Sequence, residues 1–232
     1  GGIKQTGTPS QGILSNGNDR YYFGSDGNIL FAWYFVGNSL RYMNASGTVT
    51  VVDTAGKNNM GLAYYAIRKI GCAYWYGTYG QIATEALFNT NKSIYPYYYT
   101  KWNDYATQYG GQVFDCAGLI KAYVWTTSVN GVPTYNSAQD YSSTMLYTTV
   151  STASRGTTGT CPWKIGTLVF DSSATSTRAY GIHHVGVYIG NGLIVEAKGH
   201  QYGVILSKSP YDWEYWAQNQ WLTNSGVYSP PS

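Results

Sequence analysis

The chain has 232 residues, 44% of them hydrophobic and 11% charged, with a formal net charge of +3. This length suits one domain with a small appendage, and the lack of a Lys/Arg block argues against a nucleic-acid partner. No apolar run reaches the roughly 18 residues of a transmembrane helix. The 25 Tyr and 28 Gly residues predict a surface suited to carbohydrate or cell-wall contact, although a structural role explains the same composition.

Both ends of the chain are polar. Residues 1–20 are rich in Gly, Ser, Thr, Asn and Gln and predict a linker, whereas residues 227–232 predict a frayed tail. Gly1 and Gly2 are typical of a processing or cloning scar, so we expect the full protein to extend further upstream.

Residues 21–52 contain an internal repeat. Residues 22–29 align with residues 42–49, and in each unit an aromatic strand leads into a polar turn that contains Gly. Such hairpins cannot bury a core alone and normally stack in series. The segment resembles the choline- or glucan-binding repeats of Gram-positive surface proteins and phage lysins, which implies a choline-bearing or other wall polysaccharide as partner. The alternative is a capping remnant of an array upstream.

Residues 53–226 predict an α+β domain in which helices precede an antiparallel sheet. Apolar spacing predicts one helix over 58–70 and another that begins near Cys116. The long polar segment 126–164 is expected to form a wall of a site. Strands are predicted by short apolar or alternating runs at 166–170, 184–189, 193–197 and 204–206.

Cys116 opens an apolar helical pattern that continues at Leu119 and Ile120. A thiol at a helix N-terminus is close to unpaired backbone N–H groups, which favour the thiolate. Asp115 is placed to cap this helix. A lone cysteine at such a position is nevertheless often a small buried hydrophobe, so its partners decide its role.

The other two cysteines are interpreted as structural thiols. Cys72 follows a helix end, where the dipole disfavours a thiolate, and Cys161 precedes Pro162 in a polar loop. Their spacing predicts no zinc site. A disulfide between Cys72 and Cys161 is an alternative that the sequence leaves open.

His184 is the candidate base for the thiol. It lies on the strand face opposite Val185, whereas His183 shares the face of Val185 that is predicted to be core. A three-residue hairpin loop at 190–192 places Glu196 on the face of His184, within reach of its side chain. A two-residue loop turns the carboxylate away. A carboxylate inside an apolar strand needs such a partner, because unpaired burial is costly.

With these residues identified, the chain resembles the NlpC-type cysteine peptidases, a papain-like cell-wall family. The resemblance covers about residues 55–220 and is strongest with the phage and prophage branch. It is carried by four motifs in family order: I-G-C-A-Y-W-Y-G-T (70–78), D-C-A-G-L-I (115–120), K-I-G-T-L-V-F (164–170) and H-V-G-V-Y-I-G-N-G (184–192).

The resemblance implies a papain-like fold that needs no cofactor or metal. It implies these roles: Cys116 as nucleophile, His184 as general base, Glu196 as its orienting group, Tyr74 as oxyanion donor, and Asp115, Trp75 and Tyr76 as substrate contacts. Many relatives have His at the third catalytic position. The D-C-S-G of the family is D-C-A-G here, and Ala117 therefore lacks the serine that helps to hold a free N-terminal L-Ala.

The implied function is peptidoglycan hydrolysis at the cell wall, outside the cell, by a secreted or phage-released enzyme. The bond implied is the γ-D-glutamyl–diamino acid amide of the stem peptide. Alternatives on the same scaffold are an N-acetylmuramoyl-L-alanine amidase, a cross-bridge peptidase or an acyl transferase. An inert wall-binding module is the alternative from another class, and the retention of all three polar catalytic positions argues against it.

Overall fold

The computed structural model describes residues 13–24, 26–208 and 212–231. Most of the predicted linker therefore lies outside the described residues, as does Ser232 of the predicted tail. Within the described ranges no helix has the length and apolar character needed to cross a membrane.

The N-terminal segment forms a five-stranded antiparallel sheet in sequential order. Its strands are β1 (Ile13–Asn16), β2 (Asp19–Phe23), β3 (Ile29–Val36), β4 (Ser39–Met43) and β5 (Val49–Val51). The end of the predicted linker is thus wrong, since residues 13–20 supply β1 and the start of β2. Ile13 pairs with Tyr22 and packs against the core, which explains why this polar stretch is ordered as a strand.

The aromatic rings of this sheet are interior. Tyr22 pairs with Phe31 and Trp33 pairs with Tyr42, and all four side chains are at most 2% exposed. Their rings lie 3.9 Å and 4.9 Å apart within each pair. Trp33 also lies 5.8 Å from the ring of Tyr64 in the helix that follows. These four rings are closed to a ligand, which disagrees with a cage that binds choline.

Five α-helices follow this sheet within the described residues. They are α1 (Asn59–Arg68), α2 (Glu85–Ile94), α3 (Pro96–Tyr99), α4 (Cys116–Trp125) and α5 (Ser143–Thr148). Side-chain oxygens of Asn58 and Asp115 accept hydrogen bonds from backbone N–H groups in the first turns of α1 and α4, so both predicted helices start at a polar cap.

The main sheet has six antiparallel strands in the order β13-β12-β11-β10-β14-β9. Its strands are β9 (Arg155–Thr157), β10 (Leu168–Ser172), β11 (Ile182–Gly190), β12 (Leu193–Gly199), β13 (Gly203–Lys208) and β14 (Tyr215–Ala217). A smaller sheet of order β6-β8-β7 consists of β6 (Ala73–Tyr74), β7 (Tyr79–Ile82) and β8 (Gln112–Phe114). Strand β8 runs directly into α4, which fixes where the helix begins.

One hydrophobic cluster joins the N-terminal sheet, α1, α4 and the inner face of the main sheet. Val185, Val187 and Ile189 of β11 supply that face by strict alternation, and each is fully buried. Because α1 and α4 lie on the sheet, α4 is held beside β11 and β12. The predicted α+β class is therefore confirmed.

Candidate active site

Cys116 is the first residue of α4, and Asp115 is its N-cap. The two carboxylate oxygens of Asp115 accept hydrogen bonds from the N–H of Gly118 at 2.6 Å and of Gly77 at 2.9 Å. Burial raises the pKa of Asp115, against the opposing effects of Lys121 and of these two hydrogen bonds. Although Asp115 lines the cavity at Cys116, its oxygens are thus occupied in tying the helix start to the aromatic loop.

His184 and Glu196 face each other across β11 and β12. Nε2 of His184 lies 2.6 Å from a carboxylate oxygen of Glu196, and only 15% and 6% of the two side chains are exposed. With Nε2 occupied, Nδ1 is the nitrogen left to interact with the thiol of Cys116, which lines the same cavity. The thiol, the imidazole and the carboxylate therefore lie together, with the imidazole paired to the carboxylate.

The hairpin between these strands reaches the predicted register by a different turn. Asn191 and Gly192 both have positive φ, 49° and 76°, as the common two-residue hairpin turn requires. The register shifts between Tyr188 and Gly190, and beyond this bulge Val187 pairs with Val195. The predicted three-residue loop is wrong, but the extra residue in β11 restores the same offset.

The site electrostatics favour a charged imidazole. Burial lowers the pKa of His184, but hydrogen bonds and charge interactions with Cys116 and Glu196 outweigh it and raise this pKa to about 10. Burial alone raises the pKa of Glu196, yet the imidazole of His184 and the hydroxyl of Ser207 bring it below its ordinary value. The base and its carboxylate are therefore stabilised as an ion pair.

Two further residues contact this pair and were not predicted from the sequence. Ser207 of β13 donates its hydroxyl to the second carboxylate oxygen of Glu196. The ring of Trp213 stacks on His184 with centroids 5.4 Å apart, and it packs against Gly186. A glycine inside a strand often marks such a close approach, so Gly186 was a signal for Trp213, whereas Ser207 required the register of β12 with β13.

The predicted core position of His183 is wrong. The register of β10 with β11 shifts so that Ser172 pairs with Ile182, and Ile182 takes the fully buried position instead. His183 is left in the bulge, 43% exposed, with Nε2 3.7 Å from a carboxylate oxygen of Asp171. It is one of the residues that line the cavity at Cys116.

The aromatic loop 73–78 contributes residues with different roles. Tyr74 lines the cavity with Cys116, and burial together with the charges of Cys116 and Asp115 raises its pKa. Tyr76 also lines the cavity. Trp75 is fully buried and donates its indole N–H to Gln108 at 2.6 Å. Trp75 therefore supports the loop from inside, contrary to its predicted contact with substrate.

The cavity at Cys116 has a volume of about 560 Å³. Its walls include Ser142 and Ser143, so part of the long polar segment forms a wall of the site as predicted. Three basic side chains line it: Arg178, Lys198 and Lys208. Four carboxyl groups also line it, those of Asp115, Asp171, Glu196 and Asp212, so the cavity presents both signs of charge to a substrate.

The remaining cysteines lie elsewhere. Cys72 and Cys161 are free thiols, so the disulfide that the sequence left open is not formed. Burial raises the pKa of Cys72, and it raises that of Cys161 to about 12. Among the described residues, no group of three or more His, Cys, Asp and Glu side chains is arranged to hold a metal ion.

Comparison with known structures finds distant similarity. The chain is 15% identical to the NlpC/p60 domain of the peptidoglycan hydrolase SagA, over 69% of this chain and 98% of that one, with a TM-score of 0.38. It is 21% identical to the peptidoglycan hydrolase RipB from Mycobacterium tuberculosis, over 72% and 68% of the two chains, with a TM-score of 0.40. No curated protein sequence matches the chain.

A family model gives the assignment. The model of the NlpC/P60 family matches residues 103–224, which is more than half of the 232-residue chain. The matched range contains Cys116, His184 and Glu196. The chain belongs to the NlpC/P60 family, whose members are cysteine peptidases that act on peptidoglycan.

Proposed function

We propose that the chain hydrolyses the γ-D-glutamyl–diamino acid amide of the peptidoglycan stem peptide through an acyl-enzyme on Cys116. One observation carries this proposal: the thiol at the start of α4 shares a cavity with His184, whose Nε2 lies 2.6 Å from Glu196. A nucleophile, a base and an orienting carboxylate in this order are the components of covalent acyl transfer.

In the first half-reaction the sulfur of Cys116 attacks the amide carbonyl. His184 holds the thiol proton as an imidazolium and delivers it to the leaving amine nitrogen as the C–N bond breaks. In the second half-reaction His184 takes a proton from water, the hydroxide attacks the thioester carbonyl, and the proton returns to the sulfur as the C–S bond breaks. Glu196 stabilises the imidazolium in both halves.

The negative oxygen of the tetrahedral intermediates needs hydrogen-bond donors. The raised pKa of Tyr74 keeps its phenol protonated and able to donate. The N–H of Cys116, at the first position of α4, has no acceptor within the helix. Together these two groups are proposed as the oxyanion hole.

The cavity holds three cations that can pair with a carboxylate of the stem peptide, beside its own four carboxyl groups. Arg178, Lys198 and Lys208 line the cavity, and a stem with D-glutamate carries a free carboxylate next to the proposed scissile bond. A fixed cation near that position binds the carboxylate and aligns the amide with the thiol.

A second candidate bond is the N-acetylmuramoyl-L-alanine amide. The observation in its favour is the arrangement at residues 115–117. Both oxygens of Asp115 are occupied by backbone N–H groups, and Ala117 has no hydroxyl. Neither residue therefore provides a free polar group to bind an N-terminal amine. Such an amine is present only after L-Ala has been released from the glycan, so the substrate of an amidase does not carry it.

The direct test is digestion of purified sacculi by the wild type and by Cys116→Ala. We expect soluble muropeptides from the wild type and none from Cys116→Ala, while a Cys72→Ala control keeps the activity. Mass spectrometry of the fragments identifies the bond, and addition of a free amine separates acyl transfer from hydrolysis. Equal release by wild type and Cys116→Ala would refute the proposal, and no release by either protein would favour an inert wall-binding role.

We also propose that the protein acts at the cell wall from outside the cell, as a secreted or phage-released enzyme close to the phage branch of the family. The motif details that support this are G-T-Y-G-Q (77–81) and Y-P-Y-Y-Y (95–99). Lysis of intact cells by added protein tests it. Activity on sacculi without any effect on intact susceptible cells contradicts it.

A further inference from the structure

A second cavity adjoins the active-site cavity. Its volume is about 410 Å³, and it shares Tyr74, Tyr76 and Tyr98 with the cavity at Cys116. The rings of Tyr76 and Tyr98 stack face to face, with centroids 3.7 Å apart and an interplanar angle of 6°. The two cavities therefore meet at one stacked aromatic pair.

The walls of the second cavity are aromatic, and several rings remain exposed. Tyr97 is 73% exposed and Tyr202 is 59% exposed, on α3 and on the turn between β12 and β13. Exposed large aromatic side chains that gather around one cavity are typical of a binding surface. Isolated exposed rings on a surface would not carry this meaning.

One wall of this cavity, formed by Trp102 and His200, is held in place before any ligand binds. Trp102 stacks on the imidazole of His200 with centroids 5.2 Å apart. Nε2 of His200 in turn lies 2.5 Å from a carboxylate oxygen of Asp104, and the imidazole side chain is only 7% exposed. Binding to such a preorganised wall loses little side-chain entropy.

We propose that this aromatic cavity is a subsite for an N-acetylhexosamine ring of the glycan strand. A sugar ring presents C–H groups on its faces, which pack on aromatic rings, and polar groups on its edge. Lys101 and Gln201 line the same cavity and supply donors for that edge. Amino acids of stem peptides are small, aliphatic or charged and do not require aromatic walls.

The subsite rests on the proposed function and adds a preference to it. Glycan and stem peptide are covalently joined, as the two cavities are joined through Tyr74, Tyr76 and Tyr98. The enzyme therefore acts faster on stems that are still attached to the glycan than on the same stems released from it.

The test compares two substrates of identical peptide sequence, one linked to the GlcNAc–MurNAc disaccharide and one free. Wild type, Tyr97→Ala and Tyr202→Ala are compared on both, since neither tyrosine lines the cavity at Cys116. Tyr228→Ala is the matched control. Tyr228 is 57% exposed and carries Lys164 over its ring at 5.5 Å, as Tyr202 carries Lys198 at 5.4 Å.

We expect wild type to have the higher kcat/KM on the glycan-linked substrate. Each cavity variant should lose about three- to tenfold of kcat/KM on that substrate, mainly through KM, and little on the free peptide. Tyr228→Ala should match the wild type on both. Equal kcat/KM for the two substrates in the wild type, or an advantage that survives in both cavity variants, overturns the subsite.

A binding measurement separates this inference from the proposed function. Chitotriose contains N-acetylhexosamine rings and no stem peptide, so its binding to the full chain, measured by calorimetry, does not depend on cleavage. If the wild type cleaves neither peptide substrate, the proposed function fails. In that case chitotriose binding that is lost in Tyr202→Ala still supports the subsite, and no binding overturns it.

Discussion

The hydroxyl of Ser207 donates a hydrogen bond to the carboxylate of Glu196 from the neighbouring strand. The other carboxylate oxygen of Glu196 faces Nε2 of His184 at 2.6 Å. Both oxygens of this buried acid therefore have partners. Ser207 stabilises the charged carboxylate, and that carboxylate in turn stabilises the imidazolium of His184.

Replacement of Ser207 should weaken the base through Glu196. In Ser207→Ala the pKa of Glu196 rises, because a hydrogen bond to its charged form is lost. Glu196 then becomes protonated at a higher pH, so we expect the acid limb of the kcat/KM profile to move upward. Stability should fall by about 1–3 kcal/mol, since one buried oxygen is left unpaired.

Ser207→Thr is the control, because it keeps a hydroxyl at this position. It should restore the wild-type acid limb even if the added methyl group costs some stability. An unmoved acid limb in Ser207→Ala, measured from pH profiles of kcat/KM, would show that Ser207 has only a structural role.

Glu196 should control the alkaline limb. Its charge helps to raise the pKa of His184 to about 10, and Glu196→Gln removes that charge. The imidazole then loses its proton at a lower pH, so we expect the alkaline limb of kcat/KM to move downward. The maximum rate should fall on the order of tenfold to a thousandfold. An alkaline limb at the same pH in both proteins contradicts this role.

The same ion pair should make stability depend on pH. Because the pKa of His184 is raised from 6.5 to about 10 in the folded protein, its contribution is complete below pH 6.5 and is lost as the pH rises towards 10. Unfolding in denaturant at several pH values measures this loss. The loss should be smaller in Glu196→Gln, and equal slopes in the two proteins would contradict it.

The sequence predicted this site to the extent that strand alternation and local caps determine it. Asp115 as a cap and His184 opposite Val185 followed from local pattern alone. The bulge at His183 did not, because one extra residue is accommodated only when a neighbouring strand is present. Ser207 was missed for the same reason, since its contact depends on a register between strands.

Burial was the other limit on prediction from the sequence. Trp75 and Tyr76 are adjacent in an aromatic loop, and nothing local says which ring points inward. In the structure Trp75 is enclosed by Phe88, Tyr99 and Tyr105, whereas Tyr76 lies at the cavity. Only tertiary packing determines that Trp75 supports the loop from inside and that Tyr76 lies on the proposed substrate surface.

Cys116 should differ from the other thiols in reactivity. Cys116 lies at a helix N-terminus and shares an open cavity with the imidazole of His184, whereas burial raises the pKa of Cys72 and Cys161. We expect iodoacetamide near pH 7 to alkylate Cys116 first, as read by peptide mass spectrometry. In His184→Ala this rate should fall by about tenfold or more. Labelling of Cys72 as fast as Cys116 contradicts the assignment.

We expect the N-terminal sheet to stabilise the fold and not to bind a ligand through its buried rings. Trp33 is fully buried between Tyr42 and Tyr64, so Trp33→Ala should cost about 3–5 kcal/mol in the free energy of unfolding. Tyr34→Ala is the control on the same strand, because its ring is only half-buried and should cost less. Urea unfolding measures both. A Trp33→Ala protein of unchanged stability that loses choline binding would restore the ligand-cage interpretation.

Gly118 should be required for stability and for activity, although it lies within a helix. Alanine is the better helix former by about 1 kcal/mol, which predicts stabilisation if only the helix matters. A Cβ at this position, however, would lie 1.8 Å from the carbonyl oxygen of Thr78 and 2.9 Å from a carboxylate oxygen of Asp115. The same carbonyl accepts the N–H of Asp115 at 3.0 Å, so the loop and the helix cannot separate without breaking this hydrogen bond.

Gly118→Ala should therefore lower the melting temperature and reduce kcat/KM together, because the movement that relieves the clash displaces Cys116. Overpacking of this kind costs about 1–3 kcal/mol. Gly159→Ala is the matched control, since no atom lies within 4 Å of its added Cβ. It should leave both quantities unchanged. If Gly118→Ala is as stable and as active as the control, the start of α4 does not depend on its close contact with Thr78.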